Sequence, residues 1–266
     1  MTIADEREAR REALERRMGE PVTRDSLTGS WDILQRKHGH RHSTDDVLTA
    51  YYALCHGPAT DASLDLGTGI GTVGLLTLWG LGEHARLWCV EAQDVSFALL
   101  RENIALNGLD ARVHPTHGDL RTTTFERTFD LVTGSPPYFD TSAGVLPADS
   151  QKAHARFELR GTVRDYALAA QRALSDRDEA RFVFCFPTPQ KARALAAVRE
   201  ADFTAVAHRD VIPREGLPAL FSLFACKRGA HDAIEEAPLI VRDASGAHTA
   251  ELRAVRRRFG FAASEP

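Results

Sequence analysis

Short apolar runs alternate along this chain with longer amphipathic stretches. The runs at 62–66, 86–91, 111–114, 129–133, 181–187, 203–210 and 219–226 have the length and residue types of buried strands. Between them, 71–80, 93–107, 162–174 and 189–200 read as helices. Strand and helix in alternation describe an α/β layer structure with a mostly parallel sheet. The last two strands are joined only by 211–218, too short for a helical crossover, so that pair is expected to be antiparallel. The expectation is a seven-stranded sheet, mostly parallel, with an antiparallel last strand. Upstream, 3–18 is rich in Ala, Glu and Arg and carries a thin apolar stripe of Ala9, Ala13, Leu14 and Met18, which predicts a helix. Ser43 or Thr44 is placed to cap a second helix over 47–54, with Asp45 and Asp46 in its first turn. A closing helix is expected over 249–259, and 139–160, with Gly144 and Pro147, reads as a loop or small insertion. The chain thus divides into an N-terminal helical segment, 1–60, and an α/β domain, 61–266.

Composition narrows the class. A chain of 266 residues, 43% apolar and 26% charged, can bury a full core. A formal net charge of −4 argues against a nonspecific nucleic-acid binder while leaving room for a local basic groove. The four cysteines (Cys55, Cys89, Cys185 and Cys226) form no close pair, and the last three lie in strand-like runs. They read as free thiols of a reducing compartment, which places the protein in the cytoplasm. No His/Cys spacing suits a metal, no run of 18 apolar residues occurs, and the N-terminus lacks the apolar core of a signal peptide.

Candidate chemistry gathers at strand ends. Asp65 leads into Gly67, Gly69 and Gly71, whose freedom allows a tight turn and a close ligand approach ahead of a helix N-terminus. A plain strand-to-helix turn accounts for the glycines as well. Glu91 closes the next apolar run, where a carboxylate can accept both hydroxyls of an adenosine ribose, as found in NAD and in S-adenosylmethionine. Asp119 follows the third strand and can accept from an adenine amine, with Leu120 against the ring; turn chemistry explains Gly118-Asp119 equally well. The strand at 129–133 runs into Ser135-Pro136-Pro137-Tyr138-Phe139. Two prolines stiffen the backbone and remove two donors, leaving carbonyls to accept from an amine. Tyr138 and Phe139 add flat faces for a planar group. Two basic patches, Arg36, Lys37 and Arg41 among three histidines, and Arg256-Arg257-Arg258, could meet phosphates or simply be solvated.

Asp65 to Gly71, Glu91 and Ser135 to Tyr138 together resemble a class I, Rossmann-like S-adenosylmethionine-dependent amino-methyltransferase. More closely, 31–258 is similar to the bacterial tRNA1(Val) adenine-N6 methyltransferase family. Gln35, Gly39 and Asp45 match its upstream pattern, Arg156-Phe157-Glu158 with Gly161 a second, and 220–224 and 238–241 its closing features. The resemblance implies Ser135, Pro136 and Tyr138 as catalytic residues. It implies a cofactor site of Asp45, Asp65, Gly67, Gly69, Gly71, Glu91, Asp119, Leu120 and Ser135. Substrate contacts are expected from Arg36, Lys37, Arg41, Phe139, Arg156 and Arg256, with tRNA as partner and neither metal, membrane nor obligate protein partner. The chain departs from the family at Ser135, where Asn is usual, and at Phe157, where His is usual. The serine leaves open another amine, in DNA, a glutamine amide or a small molecule, and a catalytically inactive RNA-binding module is the remaining alternative. A nicotinamide oxidoreductase has no use for the Pro-Pro-Tyr corner.

Overall fold

The computed structural model describes residues 2–139 and 149–262. α1 (Ile3–Met18) opens with a capping box between Thr2 and Asp5 and buries only Leu14. Ion pairs dock it: Arg7 on Asp32 at 3.0 Å and Arg17 on Glu102 at 2.7 Å. Between its helices the N-terminal segment also carries an antiparallel hairpin, β1 (Val22–Ser26) and β2 (Asp32–Arg36). Its strands are short and largely polar, with Val22, Ile33, Leu34 and Gln35 turned inward, so no apolar run betrays them. α2 (Thr44–His56) starts at Ser43, whose backbone N–H donates to Asp46, as the capping pattern predicts.

The central layer follows in order: β3 (Ala62–Leu66), α3 (Thr72–Leu81), β4 (Arg86–Glu91), α4 (Asp94–Leu106), β5 (Val113–His117), β6 (Leu131–Gly134), α5 (Ser150–Arg156), α6 (Val163–Ala173), β7 (Arg181–Pro187), α7 (Lys191–Glu200), β8 (Phe203–Ile212), β9 (Phe221–Arg228), β10 (Ile234–Ile240) and α8 (Ala250–Arg258). Among the described residues the main sheet has eight strands in the order β10-β8-β9-β7-β6-β3-β4-β5. β9 is antiparallel to both its neighbours and every other pairing is parallel. The last of the seven expected strands is therefore the reversed one, seated between β7 and β8. The eighth, β10, lies beside β8 at the sheet edge, in a stretch that carries Pro238 and is mostly exposed.

Apolar side chains fill both faces of this sheet. One face packs Leu75, Leu76 and Leu78 of α3, Leu48 of α2 and Leu99 and Leu100 of α4 with Ile33 and Leu34 of the hairpin. The other stacks Phe182, Phe184 and Phe224, with ring centroids 5.0 and 4.8 Å apart, beneath the alanine-rich inner face of α6. Asn103 of α4, fully buried, ties the hairpin to the loop after β3: it accepts from Leu34 N and donates to Ile70 O, at 2.7 and 2.9 Å. Among the described residues no helix is long and apolar enough to cross a membrane. After β5 the chain crosses to the other side of β3 to form β6, which opens a crevice beyond the carboxyl ends of these two strands. In register, Leu66 pairs with Gly134 and with Val90, and Gly134 with Phe184. The glycine turn, Glu91 and the Ser-Pro-Pro-Tyr corner therefore leave the sheet at one level, with Cys185 beside them inside β7.

Candidate active site

A cavity of about 700 Å³ opens at that level, within the range of small-molecule sites. Its floor is the turn after β3, where Gly67, Gly69 and Gly71 take left-handed φ values of 60°, 59° and 100°. A Cβ on Gly67 would stand 1.9 Å from Tyr166 Oη, whereas the space over Gly69 is open. Asp65 lies beneath, accepting from Thr68 Oγ1, Thr133 Oγ1 and Gly74 N at 2.6, 2.7 and 3.0 Å. It lines the cavity and also braces the turn from below. Glu91 accepts from Gly69 N at 2.8 Å and Gln93 N at 2.7 Å. Burial pushes both carboxyls above their usual range, against the pull of those donors. An open backbone cradle, a carboxylate at the adjacent strand end and apolar Leu120 across the cavity fit the adenosine half of S-adenosylmethionine.

The opposite wall is the corner after β6. Ser135, Pro136, Pro137 and Tyr138 line it, with Phe139 exposed at the rim against Phe157 at 5.5 Å. Tyr138 Oη donates to Asp45 Oδ2 at 2.7 Å and lies 3.3 Å from Cys185 Sγ, which is 3.5 Å from Ser135 Oγ. Burial drives the Tyr138 phenol far above its usual pKa and the Cys185 thiol up to about 12, so both keep their protons at neutral pH.

Lys37 and Arg41 stand on the rim, Arg41 paired with Asp25 at 3.0 Å. Three other expected site residues lie elsewhere, Asp119, Arg36 and Arg256. Asp119 is off the cavity wall, gripped by Arg121, while Leu120 beside it faces in. Arg36 is also off the wall, held between Glu20 at 2.6 Å and Asp149 at 2.7 Å. Arg156 ends α5, and its side chain lies outside the described residues. Arg256 stands over Phe261, in the helix whose Arg258 bonds the Leu54 carbonyl at the far end of α2. The structure adds Asp46, Gln151, Arg160 and Tyr166 to the cavity wall. Tyr166 and Cys185 sit in runs that read as core, and nothing nearby in sequence marks Gln151.

Comparison with known proteins bears on the family and the fold. A family model for the methyltransferase small domain matches residues 52–160. The tRNA1(Val) (adenine(37)-N6)-methyltransferase of Histophilus somni is 25% identical over 221 residues, covering 81% of this chain and 88% of that protein. A release factor glutamine methyltransferase of Caulobacter vibrioides is 31% identical over 140 residues, covering 51% of this chain and 46% of that one. Among solved structures, a predicted O-methyltransferase from Agrobacterium tumefaciens shares the fold, with a TM-score of 0.63 at 20% identity over 81% of this chain and 96% of its own. The chain is a class I S-adenosylmethionine-dependent methyltransferase, related over most of its length to the tRNA1(Val) adenine-N6 methyltransferases.

Proposed function

We propose that this enzyme methylates the exocyclic N6 amine of an adenine in RNA, with tRNA as the substrate. The observation that carries the reading is the register of β3 on β6, Leu66 beside Gly134, which sets the glycine cradle and the Ser135–Tyr138 corner on one cavity. S-adenosylmethionine, when bound, supplies a methyl group on a sulfonium that leaves as a neutral thioether. The chain's own part is to hold both reactants in line. Glu91 takes the ribose hydroxyls and Leu120 the adenine ring. An exocyclic amine has its lone pair spread into the base, so acceptors at Ser135 Oγ and the Pro136 carbonyl draw that pair back onto nitrogen through the two N–H bonds. Tyr138 offers its face to the base and fixes the direction of attack. The target adenine has to leave its stack to arrive there, at less cost from a loop than from a duplex.

The tRNA substrate is supported by the relative that aligns with most of this chain. A glutamine amide is the second reading, favoured by the glutamine-methylating relative, while Ser135, whose hydroxyl reaches less far than an asparagine amide, leaves the acceptor amine open. Incubation with cofactor and tRNA, DNA or a glutamine-bearing peptide, followed by mass spectrometry of the products, separates them. The expected product is N6-methyladenosine from tRNA, lost in Ser135→Ala and Tyr138→Ala. Methyl found only on the peptide or the DNA replaces the acceptor, and binding to tRNA with no turnover on any of them makes the chain an inactive module.

A further inference from the structure

The stacking role of Tyr138 uses its ring and leaves its polar ends to be explained. The hydroxyl donates to Asp45 Oδ2 at 2.7 Å and touches Cys185 Sγ at 3.3 Å. The backbone carbonyl accepts from Gln190 Nε2 at 2.8 Å, and the ring meets Phe186 edge-on at 6.1 Å. α2, β7 and the turn at 188–190 thus grip one residue from separate directions. Asp45 is itself anchored, because the Ser43 hydroxyl donates to its other oxygen and leaves Oδ2 for the tyrosine. Cys185 touches both side chains of the corner that bear hydroxyls, Ser135 and Tyr138.

We infer that Asp45 is a positioning residue for the methyl acceptor: its carboxylate, seconded by the Cys185 thiol, fixes the Tyr138 ring at the angle the acceptor must meet. This rests on the reading of 135–138 as the acceptor corner, and it gives Asp45 a different task from direct cofactor contact. A bond from a neutral phenol to a carboxylate is charge-assisted and directional, so it sets ring orientation more firmly than packing does. A thiol is a weak partner and serves mainly to fill the space behind. Small errors in approach geometry are costly in rate, which makes such a fastening worthwhile.

The test starts with the acceptor that the wild-type enzyme methylates among tRNA, DNA and peptide, so a failure of the RNA reading shows at that step. Tyr138→Phe, Asp45→Asn and their double variant are then compared by kcat and KM on that acceptor and by the Kd of S-adenosylhomocysteine in calorimetry. Each single variant is expected to lower kcat about tenfold and leave the Kd within about twofold. The double variant should be no slower than the worse single one, because both changes remove the same bond. Should Asp45→Asn unfold the chain, Tyr138→Phe and Cys185→Ala carry the comparison, the latter with a smaller kcat loss and the same Kd. Asp45→Asn raising the Kd tenfold, losses that add in the double variant, or a Tyr138→Phe enzyme with unchanged kcat would each overturn the assignment.

Discussion

Gly67 and Gly69 share one backbone conformation, yet replacing them tests different things. Alanine at Gly67 puts its Cβ onto the buried Tyr166 hydroxyl, so Tyr166 or the turn must move. Strained φ and overpacking together cost about 3 kcal/mol, or roughly 10 °C of melting temperature for a chain this size. Alanine at Gly69 meets nothing, so Gly69→Ala should lose only about 1 kcal/mol of stability. Its methyl would instead occupy the open cradle, and S-adenosylhomocysteine affinity should fall at least about tenfold. Melting curves with and without that ligand separate the two variants. Glu91 adds a dependence on pH. Burial raises its pKa above the ordinary 4.5, so the folded protein holds this proton more tightly than the unfolded chain does. Without cofactor, ionised Glu91 therefore subtracts stability above its raised pKa, and that penalty is relieved as the pH falls through it. Ribose hydroxyls favour the ionised form, so affinity for S-adenosylhomocysteine should weaken as the pH falls through the raised pKa of this carboxyl. Glu91→Gln should bind weakly throughout and lose this slope in calorimetry.

Between elements, Arg36 does work that its charge alone does not announce. Its guanidinium joins Glu20 to Asp149 and also donates to Gln151, whose Oε1 receives the His40 N–H as well. The end of β2, the loop after it and the start of α5 are thereby fastened along one side of the cavity. With 12% of the Arg36 side chain exposed, removing it leaves two half-buried carboxylates without their cation. Arg36→Met should cost about 2 kcal/mol and speed hydrogen exchange at the α5 amides, both read from one deuterium-labelling series. Such ties are the part of the molecule that its sequence hides. β3, β4, β6 and β7 are legible because buried strands leave short runs rich in apolar residues, even where Ser63, Asp65 or Thr133 interrupts them. β1, with Val22 its only buried residue, and β10, with Glu235, Glu236 and Pro238, form because a neighbouring edge offers hydrogen bonds. Likewise Gly67, Glu91 and Tyr138 are legible as residues at strand ends. Arg36 and Asp119 read as ligand-facing groups until Asp149 and Arg121 are seen to hold them.

At the scale of the whole molecule, a net charge of −4 gives a long acceptor no general attraction, so placement of the cations decides which face it meets. α2 serves as the ruler. Asp45 in its first turn lines the cavity, while the Leu54 carbonyl near its last turn is held by Arg258 at 3.1 Å. At 1.5 Å of rise per residue these positions stand roughly 13 Å apart along the axis, which sets the α8 arginines at the end away from the reacting corner. Arg256 stands over Phe261 on that remote side, whereas Lys37 is exposed on the rim beside His38 and Arg41. A tRNA whose adenine enters the cavity runs its backbone past the rim first. Lys37→Ala should therefore weaken tRNA binding and reduce the slope of log affinity against log salt by about one phosphate contact, close to 0.9. Arg256→Ala should leave both affinity and slope unchanged. Filter binding of each variant across a salt series measures both quantities, and the opposite pattern would turn the RNA onto the α8 face, out of reach of Tyr138.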